Sequence, residues 1–138
     1  MRNVLPVAAV LAAIPWAVAH ADPACGLYQY RAEITRVIDG DTVVADIDLG
    51  FHTWRRDGHL RLWGINAPEL HGKSKAAGEK AKDALSGRVL GKQLIICTLK
   101  DKQEKYGRYL AKIYVGDELI NDWPISQGLA VPYMREGQ

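Results

Sequence analysis

At 138 residues with 18 Lys+Arg against 16 Asp+Glu, the chain has the size of one domain and almost no net charge, which excludes global electrostatic capture of an anionic polymer. Any attraction for phosphates must come from local clusters. Two cysteines and scattered His52, His59 and His71 are too few soft ligands for a structural zinc centre.

Met1-Arg2-Asn3 is followed by an uncharged apolar stretch from Val4 to Ala19, and Ala19-His20-Ala21 is a small-x-small cleavage site. Pro6 and Pro15 interrupt the stretch, which falls short of the roughly 20 residues a spanning helix needs. Residues 1–21 therefore read as a signal peptide, and 22–138 as a single domain of 117 residues, exported to the periplasm or the medium. Loss of Arg2 leaves 17 Lys+Arg against 16 Asp+Glu. No further segment reads as membrane-spanning, and a monomer is expected. Cys25 and Cys97 either pair, closing a loop worth about 4 kcal/mol of chain entropy, or leave Cys97 as a buried thiol on an apolar strand.

Tyr28 to Ile38 alternates apolar and polar residues and reads as a half-buried strand. Asp39-Gly40 signals a hairpin with a type I′ turn. The return strand, Thr42 to Leu49, sets Val43, Ala45, Ile47 and Leu49 against Val44, Asp46 and Asp48. A polar and aromatic tip, Gly50 to Gly58, leads into a third strand, His59 to Trp63. Between Ser74 and Leu90 the period becomes helical, with Ala77, Ala81, Ala84 and Leu85 on one stripe and Gly87 or Gly91 as the stop. Lys92 to Leu99 and Tyr109 to Val115 are the fourth and fifth strands. A short helix follows Asn121 as N-cap, tolerates Pro124 in its first turn and ends at Gly128. The fold expected is mainly β with helices (α+β): a five-stranded OB-type barrel, with one helix between strands 3 and 4 and a short C-terminal helix.

The chemistry gathers in three segments. Asp39 and Asp41 flank a turn glycine and can be read simply as turn residues. The segment Arg61 to Glu69 gives Asp41 a possible purpose. Pro68 forces Ala67 into an extended conformation, so the Asn66 side chain and the Ala67 carbonyl could join Asp41 as oxygen ligands for Ca²⁺. Glu69, three residues beyond Asn66, is the candidate general base for an attacking water; its alternative is an exposed acid near a helix start. Arg61 and Arg108 are surface cations if taken singly. With the acids they could clamp a phosphate whose charge grows in the transition state.

Ile-Asp-Gly-Asp-Thr at 38–42, Arg-Leu-x-Gly-Ile-Asn-Ala-Pro-Glu at 61–69, Lys-Tyr-Gly-Arg at 105–108 and Gln-Gly-Leu-Ala at 127–130 together resemble the staphylococcal-nuclease-like, or thermonuclease, family. The resemblance implies an OB-fold barrel and a Ca²⁺-dependent phosphodiesterase acting on DNA and RNA, leaving 3′-phosphate ends. It implies Asp41 as a calcium ligand, Arg61 and Arg108 as catalytic arginines and Glu69 as the acid/base. Tyr106 and Tyr133 would contact the nucleotide. In that fold the first and fourth strands are neighbours, which makes a Cys25–Cys97 bridge a candidate. One departure bears on the site: Asn66 stands where the family usually has a second Asp. Its amide keeps an oxygen donor and removes a charge, so weaker calcium binding is expected.

Phe51, Trp54, Arg55 and Arg56 at the hairpin tip could stack on bases, or be an ordinary solvated tip. Lys73, Lys75, Lys80 and Lys82 read as a solvated helix face. The alternative function is a non-catalytic OB-fold module that binds nucleic acid or protein with a degraded calcium site. Joint retention of Arg61, Glu69 and Arg108 favours the enzyme.

Overall fold

The computed structural model describes residue 25 and residues 27–103 and 106–134, with the side chains of 100–103 excepted. The expected signal peptide lies outside these residues. Strands β1 (Gln29–Asp39), β2 (Thr42–Asp48) and β3 (Trp54–Leu62) form an antiparallel meander. A short β4 (Ile65–Asn66) and helix α1 (Lys75–Val89) follow, then β5 (Gln93–Gln103), β6 (Tyr109–Val115), β7 (Glu118–Leu119), α2 (Trp123–Ser126) and β8 (Val131–Pro132). The sheet order β3-β2-β1-β5-β6-β7 closes through a parallel pairing of β3 with β6, giving the expected five-stranded barrel. Closure encloses the core: Ile34, Leu60, Leu62, Ile96 and Ile113 are almost wholly removed from water.

Helix α1 covers one end of the barrel with Gly78, Ala81, Leu85 and Val89 buried. The expected stripe is thus corrected by one position, because Ala77 is exposed and Gly78 takes its place. The cause is a close approach. A Cβ on Gly78 would fall 2.7 Å from the Glu69 carbonyl carbon and 2.8 Å from the Pro68 carbonyl oxygen, so only glycine lets the helix lie on the chain at 68–69. The helix ends as expected, with Gly91 in the left-handed region at φ +68° and its N–H donating to the Ile34 carbonyl at 2.8 Å.

Four further expectations are corrected. The Gly40-Asp41 turn has no positive φ and is not type I′; Gly40 is needed for space, since a Cβ there would stand 2.6 Å from the Ala67 Cβ and 2.8 Å from the Ala81 Cβ. β3 begins at Trp54 rather than His59, because backbone pairing with β2 persists through Ile47↔Arg55 and Asp48↔Trp54 although the side chains from Trp54 to Asp57 are all exposed. Both faces are wet there, so the sequence carries no alternation to announce a strand. On β2, Val44 is as buried as Val43, while Leu49 is exposed. Asn121 is not the N-cap of α2, a place taken by Asp122. It is wholly buried, accepts from the Ile113 N–H at 2.9 Å and donates to the carbonyls of Trp63 at 2.8 Å and Ala111 at 3.0 Å. Each polar atom is satisfied, so the amide ties β6 to the turn after β3 and its hydrogen bonds offset the cost of burying it.

Cys25 and Cys97 are joined by a disulfide with Cα atoms 5.7 Å apart, the spacing usual for such bridges. It holds the approach to β1 against β5, where Gln29 and Cys97 are register partners.

Candidate active site

Three adjacent strands bring the site together. Thr42 at the start of β2 is the register partner of Arg61 on β3, and Arg61 is the partner of Leu110 on β6, two residues after Arg108. The Leu62 N–H donates to the Asp41 carbonyl at 2.8 Å, which holds the Asp39–Asp41 turn beside the end of β3. Within the turn the roles separate. Asp39 uses Oδ1 to accept the Asp41 N–H at 3.0 Å, as a turn aspartate does, whereas Asp41 turns its carboxylate inward.

Asp41 is buried and richly bonded. Oδ2 accepts the Ala67 N–H at 2.7 Å and lies 3.2 Å from Arg61 Nη2; Oδ1 accepts the Thr42 hydroxyl at 3.1 Å. Its pKa is nevertheless pushed up to about 6, because burial penalises the charge and Asp39 adds repulsion, against the lowering effect of the Ala67 N–H and Arg61. Arg61, also buried, donates from Nη1 to the Leu62 carbonyl at 3.0 Å and from Nη2 to Asn66 Oδ1 at 3.2 Å. Arg108 donates from Nη1 to Thr42 Oγ1 at 2.7 Å, and its guanidinium sits 5.5 Å from the centre of the Tyr106 ring.

Asp41, Arg61, Asn66 and Ala67 therefore meet directly, and Arg108 joins them through Thr42. Ala67 meets Asp41 through its N–H; the carbonyl expected to face an ion is a different atom of the same residue. Glu69 follows Ala67 by two residues, but its exposed carboxylate makes no contact with this group and stands 4.0 Å from His71 Nδ1. Its backbone is fixed by α1 at Gly78 and by the Ser74 hydroxyl, which donates to the Glu69 carbonyl at 3.3 Å. Tyr133 is half exposed. Its N–H donates to the Gly64 carbonyl at 3.0 Å, continuing the pairing of β8 with β4 in which Asn66 faces Val131. The C-terminal segment thus borders the Asn66-Ala67-Pro68 edge, and a small depression lined by Asn66, Ala67, Pro68 and Leu129 lies between them.

Among the described residues no three of His, Cys, Asp and Glu stand close enough to hold a metal by themselves. Calcium, however, accepts amide and backbone oxygens. Asp41 Oδ2 and Asn66 Oδ1 each lie 3.2 Å from the same nitrogen of Arg61, so two hard oxygens already converge on a positive charge. The Asp41 carboxylate offers about four acceptor directions and uses three here. Both side-chain oxygens are of the kind calcium accepts, and only one of the two side chains carries a charge.

The sequence assigned Thr42 no role of its own and pointed to Asn121 only as a helix cap. Asn121 carried no signal beyond its type; Thr42 follows Asp41 directly, yet only its contact with Arg108 exposes its place. At the hairpin tip, the exposed Arg56 pairs with Asp46 at 2.6 Å and the exposed Arg55 lies over Tyr109 at 5.2 Å.

Residues 59–138 match the sequence profile described as Staphylococcal nuclease homologue. The chain is 33% identical over 119 residues to a protein named ParB from Escherichia coli, covering 80% of this chain and 61% of that one. It is 29% identical over 101 residues to a thermonuclease of Staphylococcus hyicus, covering 71% and 56% respectively. Against a protein of Haemophilus influenzae named as an uncharacterized endonuclease it is 30% identical over 110 residues, covering 80% and 56%. The chain thus spans between half and two thirds of the length of these relatives.

Proposed function

The chain belongs to the staphylococcal nuclease homologue family, and from that premise we propose that it is an exported, calcium-dependent phosphodiester hydrolase acting on DNA, RNA or both. The observation that carries this reading is the buried Asp41–Arg61 pair, met by the exposed Asn66 and with Arg108 tied to it through Thr42. Two guanidiniums held beside hard oxygen donors form a place for a phosphate and its counter-ion. A purely structural ion pair would call for only one of them.

Asp41, Asn66 and the Ala67 carbonyl would hold calcium, which when bound supplies charge neutralisation at the phosphate. Arg61 and Arg108 donate to the non-bridging phosphate oxygens, more strongly as charge builds on them in the transition state. Glu69, exposed and two residues beyond Ala67, accepts the proton of the attacking water on its carboxylate. As the phosphorus–oxygen bond to the 5′ side breaks, the departing alkoxide takes a proton from solvent, and a 3′-phosphate end remains. Exposed Tyr106 and Tyr133 offer rings to the flanking bases. Export rests on the segment 1–21.

A plasmid and an RNA incubated with the purified protein test the proposal. Cleavage with Ca²⁺, none with chelator and a loss of at least about a hundredfold in Glu69→Gln are expected. DNA retarded on a gel but never cut would instead establish a binding module and refute the hydrolase.

A further inference from the structure

We propose that Thr42 is a positioning residue that holds the Arg108 guanidinium in its working orientation, an inference that rests on the hydrolase reading above. Arg108 carries the longest and most flexible kind of cationic side chain, with about 2 kcal/mol of rotamer freedom to lose. Left in solvent it would spread over many orientations. Thr42 is stiff at χ1 because it is β-branched, 2% exposed and set in register with Arg61. It is the fixed point against which the mobile cation can be aligned.

The direction of the hydrogen bonds follows from the groups themselves. A guanidinium only donates and an ionised carboxylate only accepts, whereas a hydroxyl does both. The Thr42 oxygen therefore receives the Arg108 proton at 2.7 Å and passes its own to Asp41 Oδ1 at 3.1 Å. Such a chain polarises along its length, so the negative charge of Asp41 reaches Arg108 without the two touching. Asp41 meets Arg61 directly and Arg108 through one hydroxyl. One buried acid thus sets the separation of both cations, and the two guanidiniums are aligned before a phosphate arrives.

Two substitutions separate the hydroxyl from the packing. Thr42→Val keeps the shape and removes the hydroxyl; Thr42→Ser keeps the hydroxyl and removes a methyl. In the calcium-loaded protein, Thr42→Val is expected to lower kcat roughly 10- to 100-fold with KM within about threefold of the parent, the size expected when a charge-assisted hydrogen bond stops orienting a group used in the transition state. Thr42→Ser should restore kcat to within about threefold, even where its urea midpoint falls below that of Thr42→Val. In the metal-free, substrate-free protein, NMR should show faster exchange of the Arg108 guanidinium protons in Thr42→Val alone. Equal loss in both variants, or full activity in Thr42→Val, would overturn the positioning role and leave the hydrolase standing. A parent protein that cuts nothing would remove the hydrolase reading and this inference together.

Discussion

Replacing Gly78 and Gly87 by alanine, one at a time, puts two identical changes on the same helix with opposite expected signs. In an exposed helix interior alanine is favoured over glycine by about 1 kcal/mol. At Gly87 a Cβ meets nothing within 4 Å, so Gly87→Ala should stabilise by about 0.5–1 kcal/mol, toward the low end because it lies in the last turn. At Gly78 the same methyl would meet the carbonyl groups of Pro68 and Glu69. These are backbone atoms, and they cannot yield without moving the whole segment. Overpacking of that kind costs about 1–3 kcal/mol, more than the helix gains. The two variants should therefore differ by about 1–3 kcal/mol, or roughly 0.5–2 M in the urea midpoint for a domain of this size. The displaced segment also carries Asn66, Ala67 and Glu69, so Gly78→Ala should lose cleavage activity while Gly87→Ala keeps it. A Gly78→Ala protein as stable as the parent would refute the claim that this glycine sets the distance between helix and site.

Asp41 gives a pH prediction. Its folded pKa, about 6, stands above the ordinary 3.8, so its contribution to stability is fully present below the lower value and is lost as pH rises through the higher. On the order of 3 kcal/mol is involved. The metal-free protein should have a higher urea midpoint at pH 5 than at pH 7.5, relative to Asp41→Asn measured at the same two values; equal differences would refute the assignment. Asn66→Asp restores a second negative charge beside Asp41 and should tighten calcium binding by roughly tenfold, read by titration calorimetry, with unchanged affinity counting against Asn66 as a ligand. Cys25→Ser opens the 72-residue loop closed by the disulfide and should lower stability by up to about 4 kcal/mol, whereas an unchanged thermal midpoint would show that the bridge does not constrain the unfolded chain.

The strands, the long helix and the barrel class were legible in the sequence because inward and outward positions alternate with a period set by the backbone itself. That signal fades at the start of β3, where both faces are wet, and at the Gly78 stripe, where the buried residue is glycine. Motif order marked Asp41, Arg61, Asn66, Ala67, Glu69 and Arg108 as candidates, yet it could not say that Asp39 closes a turn while Asp41 enters the interior. Nor could it turn Asn121 from a helix cap into a buried tie between distant backbones.

Those matters belong to tertiary structure, since they depend on contacts between residues far apart in the chain. Asp41 reaches Ala67 across 26 positions because β2 pairs with β3, and Arg108 reaches Thr42 across 66 because β3 pairs with β6. Residue types and their periodicity marked which residues could do chemistry and where most strands and the long helix would lie. Barrel closure decided which of them meet, because it removes water around Asp41 and Arg61 and leaves their charges to be balanced by each other and by Thr42.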